Sequence, residues 1–238
     1  MNRVVITGAS GFIGAALARR LVAEGVPTAV LLRPTSRPWR LGNCIRDLTV
    51  LEGCLNEPAS YEAALTSFAP ETVFHLAWHG VGRGQRDDPD QVRVNVPGTV
   101  DFFLAAVRAG ARSFIAAGSQ AEYGPSDRRI DESHPTHPAT LYGAAKLATL
   151  TLLQRLAAAH VIRLAWLRVF SVYGPRDDEN TLISALIRRL VAGERPAVTS
   201  GLQFWDYLYV DDAAAAFLAV ARSGVAGVFN VGAGVAPP

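Results

Sequence analysis

Short, nearly continuous apolar runs alternate along the chain with stretches whose apolar residues recur every three or four positions. The runs at residues 3–6, 28–32, 48–51, 72–76, 113–117 and 162–169 predict strands covered on both faces. The stretches at 12–24, 59–68, 91–108 and 141–159 predict helices with one buried stripe. Gly25 and Gly110 stand just past two of these, where a helix end favours a left-handed residue. Strand and helix in strict alternation predict an α/β fold, a doubly wound parallel sheet with right-handed crossovers. After Tyr173-Gly174-Pro175 the texture changes. Residues 181–192 read as an amphipathic helix, 203–210 as an aromatic strand, 211–222 as a helix and 228–231 as a last strand. The expected division is a core over 1–170, to which 204–231 returns, and a small C-terminal lobe from 171–203 and 232–238, short enough to be read as truncated.

Composition narrows this picture. The chain has 238 residues, 50% hydrophobic and 18% charged, which is enough for one sizeable core and is not a disordered composition. A formal net charge of +2 provides no bulk field for nucleic acid or an anionic membrane surface, and no apolar run reaches the length of a membrane span. The N-terminus enters a strand almost at once, so no signal peptide and a cytoplasmic location are expected. Two cysteines, Cys44 and Cys54, make no disulfide framework, and no metal-ligand pattern is present. The 23 basic residues hide an asymmetry: only one, Lys146, is a lysine. An arginine-rich chain that keeps one primary amine invites the question of what the amine does.

The first strand runs into Thr7-Gly8-Ala9-Ser10-Gly11-Phe12-Ile13-Gly14, which opens a helix. Gly8 allows a tight turn, Gly11 lets backbone approach a pyrophosphate, and Gly14 lets helix and strand pack closely. Ser10, Phe12 and Ile13 complete the turn at a helix N-terminus, whose amides favour negative charge. A strand before and a helix after are the context that makes this glycine pattern a dinucleotide site on a Rossmann-like sheet. The second strand ends in Leu32-Arg33-Pro34-Thr35-Ser36-Arg37, without an acid to take a ribose hydroxyl. Arg33 and Arg37 with Ser36 suit a 2′-phosphate instead, so NADP(H) is favoured and NAD(H) is the alternative.

Tyr142 and Lys146 are four residues apart on a predicted helix and share a face. A phenol titrates near 10, too high for a base at neutral pH, and a neighbouring ammonium lowers it. Lysine does this better than arginine, because its compact charge can also reach a ribose hydroxyl. Ser119 follows Gly118 at the end of the fifth strand, where ligands of such sheets bind. It can bond a substrate oxygen or simply cap local backbone. Gln120 and Glu122 beside it point either to substrate or to solvent.

These segments together resemble the extended short-chain dehydrogenase/reductases, in the nucleotide-sugar epimerase/dehydratase branch. The likeness runs from residue 3 to about 234 through TGASGFIG at 7–14, HLAW at 75–78, VNVPGT at 94–99, GSQAEYG at 118–124, YGAAK at 142–146, LRVFSVYGP at 167–175, DYLYVDDAA at 206–214 and FNVGAG at 229–234. The resemblance implies that Ser119, Tyr142 and Lys146 are the catalytic set. It implies that Leu76, Ala77 and Trp78 pass beneath the cofactor, with Asn95 nearby. Cys54 and Leu55 then hold the adenine, and Phe170 and Val172 flank the nicotinamide amide. His79 and Ser171 join Gln120 and Glu122 as candidate substrate residues. A homodimer through the helices at 91–108 and 141–159 is a further implication.

The departures are also informative. The dehydratases carry an Asp-Glu pair directly after the catalytic hydroxyl residue, and here Gln120 and Ala121 stand there. Water elimination needs an acid and a base at the sugar, which disfavours a 4,6-dehydratase. Cys54 replaces a usual aspartate, Ser171 a usual asparagine and Trp205 a usual arginine. Three functions follow, in order of expectation. The first is NADPH-dependent reduction of a nucleotide-linked 4-keto-6-deoxy sugar. The second is an NAD-dependent sugar-nucleotide 4-epimerase. The third is a nonenzymatic dinucleotide-binding module.

Overall fold

The computed structural model describes residues 1–235; the expected lobe positions 236–238 lie outside them. Seven strands form one parallel sheet: β1 (Val4–Thr7), β2 (Thr28–Leu32), β3 (Thr49–Glu52), β4 (Thr72–His75), β5 (Ser113–Ser119), β6 (Arg163–Val169) and β9 (Gly227–Val231). Their order is β3-β2-β1-β4-β5-β6-β9. The chain winds outward from β1 in one direction, then returns and winds outward from β4 in the other. Thr7 and His75 are register partners at the seam. Above that reversal the crossover connections part, which opens a crevice at the carboxyl ends of the strands.

Helices cover both faces: α1 (Phe12–Ala23) and α7 (Val210–Ser223) on one, and α2 (Glu62–Phe68), α4 (Asn95–Arg108) and α5 (Leu141–His160) on the other. Strand residues alternate between these layers as a pleat requires. Ile6, Val30, Phe74, Ile115 and Leu167 pack with Leu17, Leu21 and Phe217. Val5, Leu31, Val73, Phe114 and Trp166 pack with Leu65, Phe102, Phe103 and Leu153. Both faces are apolar, which is why the strands read as unbroken hydrophobic runs.

Two expectations change. The helix predicted at 91–108 is two: α3 (Asp90–Arg93) and α4. Pro97 has no N–H to donate to the Arg93 carbonyl, so the hydrogen-bond ladder is interrupted one turn before it. The aromatic strand predicted at 203–210 shrinks to β8 (Tyr207–Tyr209), paired in parallel with β7 (Ser171–Tyr173) as a separate two-stranded sheet. Residues 201–205 are exposed and irregular, because no strand lies beside them to bond their backbone. The amphipathic helix α6 (Leu182–Val191) forms as predicted but buries no residue.

Candidate active site

Gly8 turns the chain with φ of +75°, and a Cβ there would stand 2.6 Å from the Leu76 carbonyl carbon and the Ala77 nitrogen. Only glycine lets the loop after β1 pass so close to the loop after β4. Gly11 is the N-cap of α1, with extended backbone and no side-chain cap, and the first turn of α1 contains no acidic residue. Its amides therefore face the crevice with no side chain of the chain capping them, and the helix dipole adds partial positive charge. This cradle fits a dinucleotide pyrophosphate.

The crevice has a volume of about 730 Å³. Every residue assigned to cofactor, catalysis or substrate from the sequence lines it except Arg37 and Glu122. Arg33 and Ser36 lie at its rim beyond β2, joined by a Ser36 N–H to Arg33 carbonyl bond of 2.8 Å. Arg37 is exposed and outside it, so the cationic clamp reduces to a single guanidinium and a serine. Cys54 and Leu55, which follow β3 beside the end of β2, line the same end, and Phe170, Ser171 and Val172, which follow β6, line the other.

Tyr142 is held by the chain that precedes its helix. The Leu141 N–H donates to Asp87 Oδ1 at 2.9 Å, the Tyr142 N–H to the Arg86 carbonyl at 2.8 Å, and the Gly143 N–H to Thr140 Oγ1 at 3.2 Å. Three amides left open at the start of α5 are thereby satisfied, and the phenol is fixed in the first turn. The Lys146 ammonium lies one turn on. It donates to the Ala117 carbonyl at 2.6 Å and sits 3.7 Å above the Trp78 ring, a close cation–π contact. The Trp78 ring also meets Tyr142 edge-on, with centroids 6.2 Å apart.

Burial sets the electrostatics of this pair. It pushes the Tyr142 phenol upward, while hydrogen bonding with Ser119 and the nearby Arg86 guanidinium draw it back. Burial brings the Lys146 ammonium down to about 7, opposed by the charge of Glu122. The cation that draws the phenol down is the Arg86 guanidinium, and a lysine poised near neutrality one helical turn away is able to exchange a proton in the same cleft.

Two assignments change character. Ser119 lies at the end of β5 in the cleft, where its hydroxyl accepts the Ala121 N–H at 3.1 Å as an N-cap. Glu122, a candidate substrate residue from the sequence, does not line the cleft. It is fully buried beneath β5 and its carboxylate is consumed by the Ser119 N–H, the Trp166 indole and Arg168. Asn95 lines the cleft, but its side chain accepts the His79 N–H at 2.7 Å and donates to the His79 carbonyl at 3.0 Å, bracing the loop after β4.

Other contributors carried no motif. Gln91, fully buried, accepts the Trp78 indole N–H at 2.8 Å and donates to the Gly80 and Gln85 carbonyls. Its spacing of four from Asn95 on one helical face was the available signal. His75 bridges Thr7 Oγ1 at 2.9 Å and Thr99 Oγ1 at 3.0 Å, and burial lowers it to about 3, so it is a neutral structural link across the seam. Arg86 lines the cleft with its guanidinium 5.6 Å from the Tyr142 ring centroid. Among the described residues no cluster of three metal-ligating side chains occurs, and no helix is long and apolar enough to cross a membrane.

A phosphate-binding glycine turn at the reversal of a parallel sheet, facing a Ser-Tyr-Lys set, defines an enzyme of the extended short-chain dehydrogenase/reductase type. The chain belongs to the NAD dependent epimerase/dehydratase family, whose model matches residues 4–232. This sets aside the reading as a nonenzymatic binding module. The chain is 33% identical to a UDP-glucose 4-epimerase of Mycolicibacterium smegmatis (strain ATCC 700084 / mc(2)155), over 98% of this chain and 78% of that one. It is 31% identical to a dTDP-glucose 4,6-dehydratase of Streptomyces griseus, over 98% of this chain and 74% of that one. The UDP-glucose 4-epimerase of Thermus thermophilus in complex with NAD superposes with a TM-score of 0.85 at 27% identity, over 99% of this chain and 79% of that one.

Proposed function

We propose that this enzyme uses a nicotinamide dinucleotide to act at C4 of a nucleotide-linked sugar, and that its reaction is 4-epimerisation. The observation that carries the reading is the convergence of the Gly8–Gly14 turn with Ser119, Tyr142 and Lys146 on one cleft. When bound, the dinucleotide supplies the hydride acceptor and donor. Tyr142 takes the proton of the C4 hydroxyl and later returns it. Ser119 shares a hydrogen bond with the same oxygen, and the Lys146 ammonium stabilises the phenolate. The same three groups serve both directions, as a reversible oxidation at one carbon requires. The named 4-epimerases among similar chains support this choice, and Gln120 with Ala121 in place of an acidic pair argues against elimination.

One observation favours a second reading, NADPH-dependent reduction of a 4-keto sugar. Arg33 and Ser36 line the cleft where an acid would otherwise contact the ribose. The two readings part on a simple assay. The purified enzyme is incubated with UDP-, dTDP-, GDP- and CDP-linked hexoses and 4-keto sugars, with NAD or NADPH, and products are followed by NMR and mass spectrometry. Interconversion of C4 epimers without net dinucleotide consumption is the expected result. Stoichiometric NADPH consumption with a keto sugar would establish the second reading instead. Unchanged turnover in both Tyr142→Phe and Lys146→Arg would overturn the catalytic assignment common to both.

A further inference from the structure

We propose that Glu122 is a positioning residue, whose buried carboxylate fixes Ser119 at the end of β5 and supplies the negative charge against which the Tyr142–Lys146 pair works. This deepens the reading above and rests on it. Glu122 is fully buried, and its two oxygens receive three donors. Oε1 accepts the Ser119 N–H at 2.8 Å and the Trp166 Nε1–H at 2.9 Å, and Oε2 accepts Arg168 Nε–H at 2.8 Å. With Ser119 Oγ taking the Ala121 N–H, Ser119 and Glu122 form a reciprocal capping box. The rotation of the turn that carries the serine hydroxyl is thereby set by a carboxylate three residues later.

The surroundings are built for that carboxylate. A side chain on Gly118 would run into the Trp166 indole and would reach within 2.7 Å of Glu122 Oε1, so glycine at 118 makes the space. Arg168 lies 4.4 Å from the Tyr123 ring centroid, and the Tyr123 hydroxyl donates to Asn230 Oδ1 at 2.8 Å, which ties the pair to β9. The Trp166 indole lies between the carboxylate and the catalytic lysine: its N–H bonds Glu122 and its ring centroid is 5.8 Å from Lys146 Nζ.

The charged and titratable groups facing this cluster are few. Arg168 from β6 and Tyr123 from the same turn touch it, His134 packs edge-on against Tyr123 with centroids 5.9 Å apart, and Tyr142 and Lys146 face it from α5. Arg86 acts on Tyr142 from the loop before α5, and His75, neutral, lies near Lys146 from β4. Glu122 raises both Tyr142 and Lys146, so it opposes the burial that discharges the lysine. Arg168 bears the opposite charge and is expected to act in the opposite sense.

The single lysine allows a test that does not depend on turnover. Protein grown with lysine labelled by ¹³C at Cε yields one resonance, whose pH titration reads Lys146 alone. Wild type, Glu122→Gln and Arg168→Met are compared at matched dinucleotide occupancy. Glu122→Gln, which keeps one acceptor oxygen for Ser119 and Trp166 and loses both the charge and the acceptor for Arg168, should lower the midpoint by roughly one pH unit. Arg168→Met should raise it. In turnover, Glu122→Gln should move both limbs of the pH profile to lower pH and reduce kcat by about tenfold, with the KM for dinucleotide within about twofold. Shifts of the lysine midpoint in the same direction in both variants, or none in either, would show an ordinary structural ion pair and overturn the proposal. If Glu122→Gln does not fold, the upward shift in Arg168→Met decides alone, and its absence is fatal. Loss of the C4 reaction in the assay above, with opposite midpoint shifts intact, would discredit the substrate and leave this coupling standing.

Discussion

The helices of residues 3–170 and helix α6 both carry clear hydrophobic patterns and do different things with them. In the first region, α1 buries Ala15, Leu17 and Leu21 against the sheet, and α5 buries Leu150, Leu153 and Ala157. In the second, α6 has the stronger amphipathic pattern, yet Ile187 is 57% exposed and Leu190 61%. Periodicity dictates that a helix forms and which stripe is apolar. Whether that stripe is buried depends on a second layer, which the sheet supplies to α1 and α5. The proposed catalytic groups stand on the first kind of element, and every buried side-chain nitrogen and oxygen among the described residues has a partner. Precision at a site comes from that over-determination.

The sharpest expression of the contrast is Tyr142→Phe. The phenol stands in a fully packed first turn, and its hydroxyl is the only atom removed. Turnover should fall by about 10³-fold while the circular dichroism spectrum and thermal midpoint stay within error. A fall in stability comparable to the fall in rate would show that the site is not separable from the packed frame.

Much of that frame was legible. The strands announced themselves because helices cover both faces, and the glycine turn because close backbone approach admits only glycine at Gly8. Lys146 stood out because an otherwise arginine-only chain had kept it. What was not legible depends on contacts between distant segments. The sequence neighbourhood of Glu122 suggested substrate, because nothing local announces that Trp166 and Arg168, more than 40 residues away, consume its carboxylate. Thr99 was silent for the same reason, and Gln91 offered only its spacing from Asn95: each partners a residue of the loop or strand of β4. The break before α4 could have been read from Pro97 alone.

His75 tests the packed region by pH. Its ordinary value is 6.5 and burial lowers it to about 3, so between these values the unfolded chain binds a proton that the folded chain does not. Stability therefore falls as pH drops from 6.5 towards 3, by at most roughly 5 kcal/mol from this group. Chemical denaturation across that window, compared with His75→Gln, should show a shallower slope in the variant. Equal slopes would mean that the imidazole is reached by water.

Gly8→Ala probes the close approach between the loops of β1 and β4. The added methyl meets backbone atoms at 2.6 Å in a left-handed conformation, so neither neighbour can yield as a flexible side chain would. The variant should lose roughly 2–3 kcal/mol of stability and most of its dinucleotide affinity, read by urea denaturation and by calorimetric titration. Retained affinity at reduced stability would separate the turn from the phosphate cradle.

The smallest effect is expected in the second region, and it bears most directly on the contrast. Leu190→Ser removes an apolar side chain from the last turn of α6, where no residue of the helix is buried. With more than half of the Leu190 surface already in water, the urea midpoint should move by less than about 1 kcal/mol equivalent. The matching change in a sheet-facing helix, Leu153→Ser, should cost about 3 kcal/mol or more, since Leu153 is fully buried and the hydroxyl would have no partner. If Leu190→Ser were as damaging as Leu153→Ser, the stripe on α6 would have to be covered in solution. The difference between the two regions would then lie in what covers each helix and not in whether it is covered.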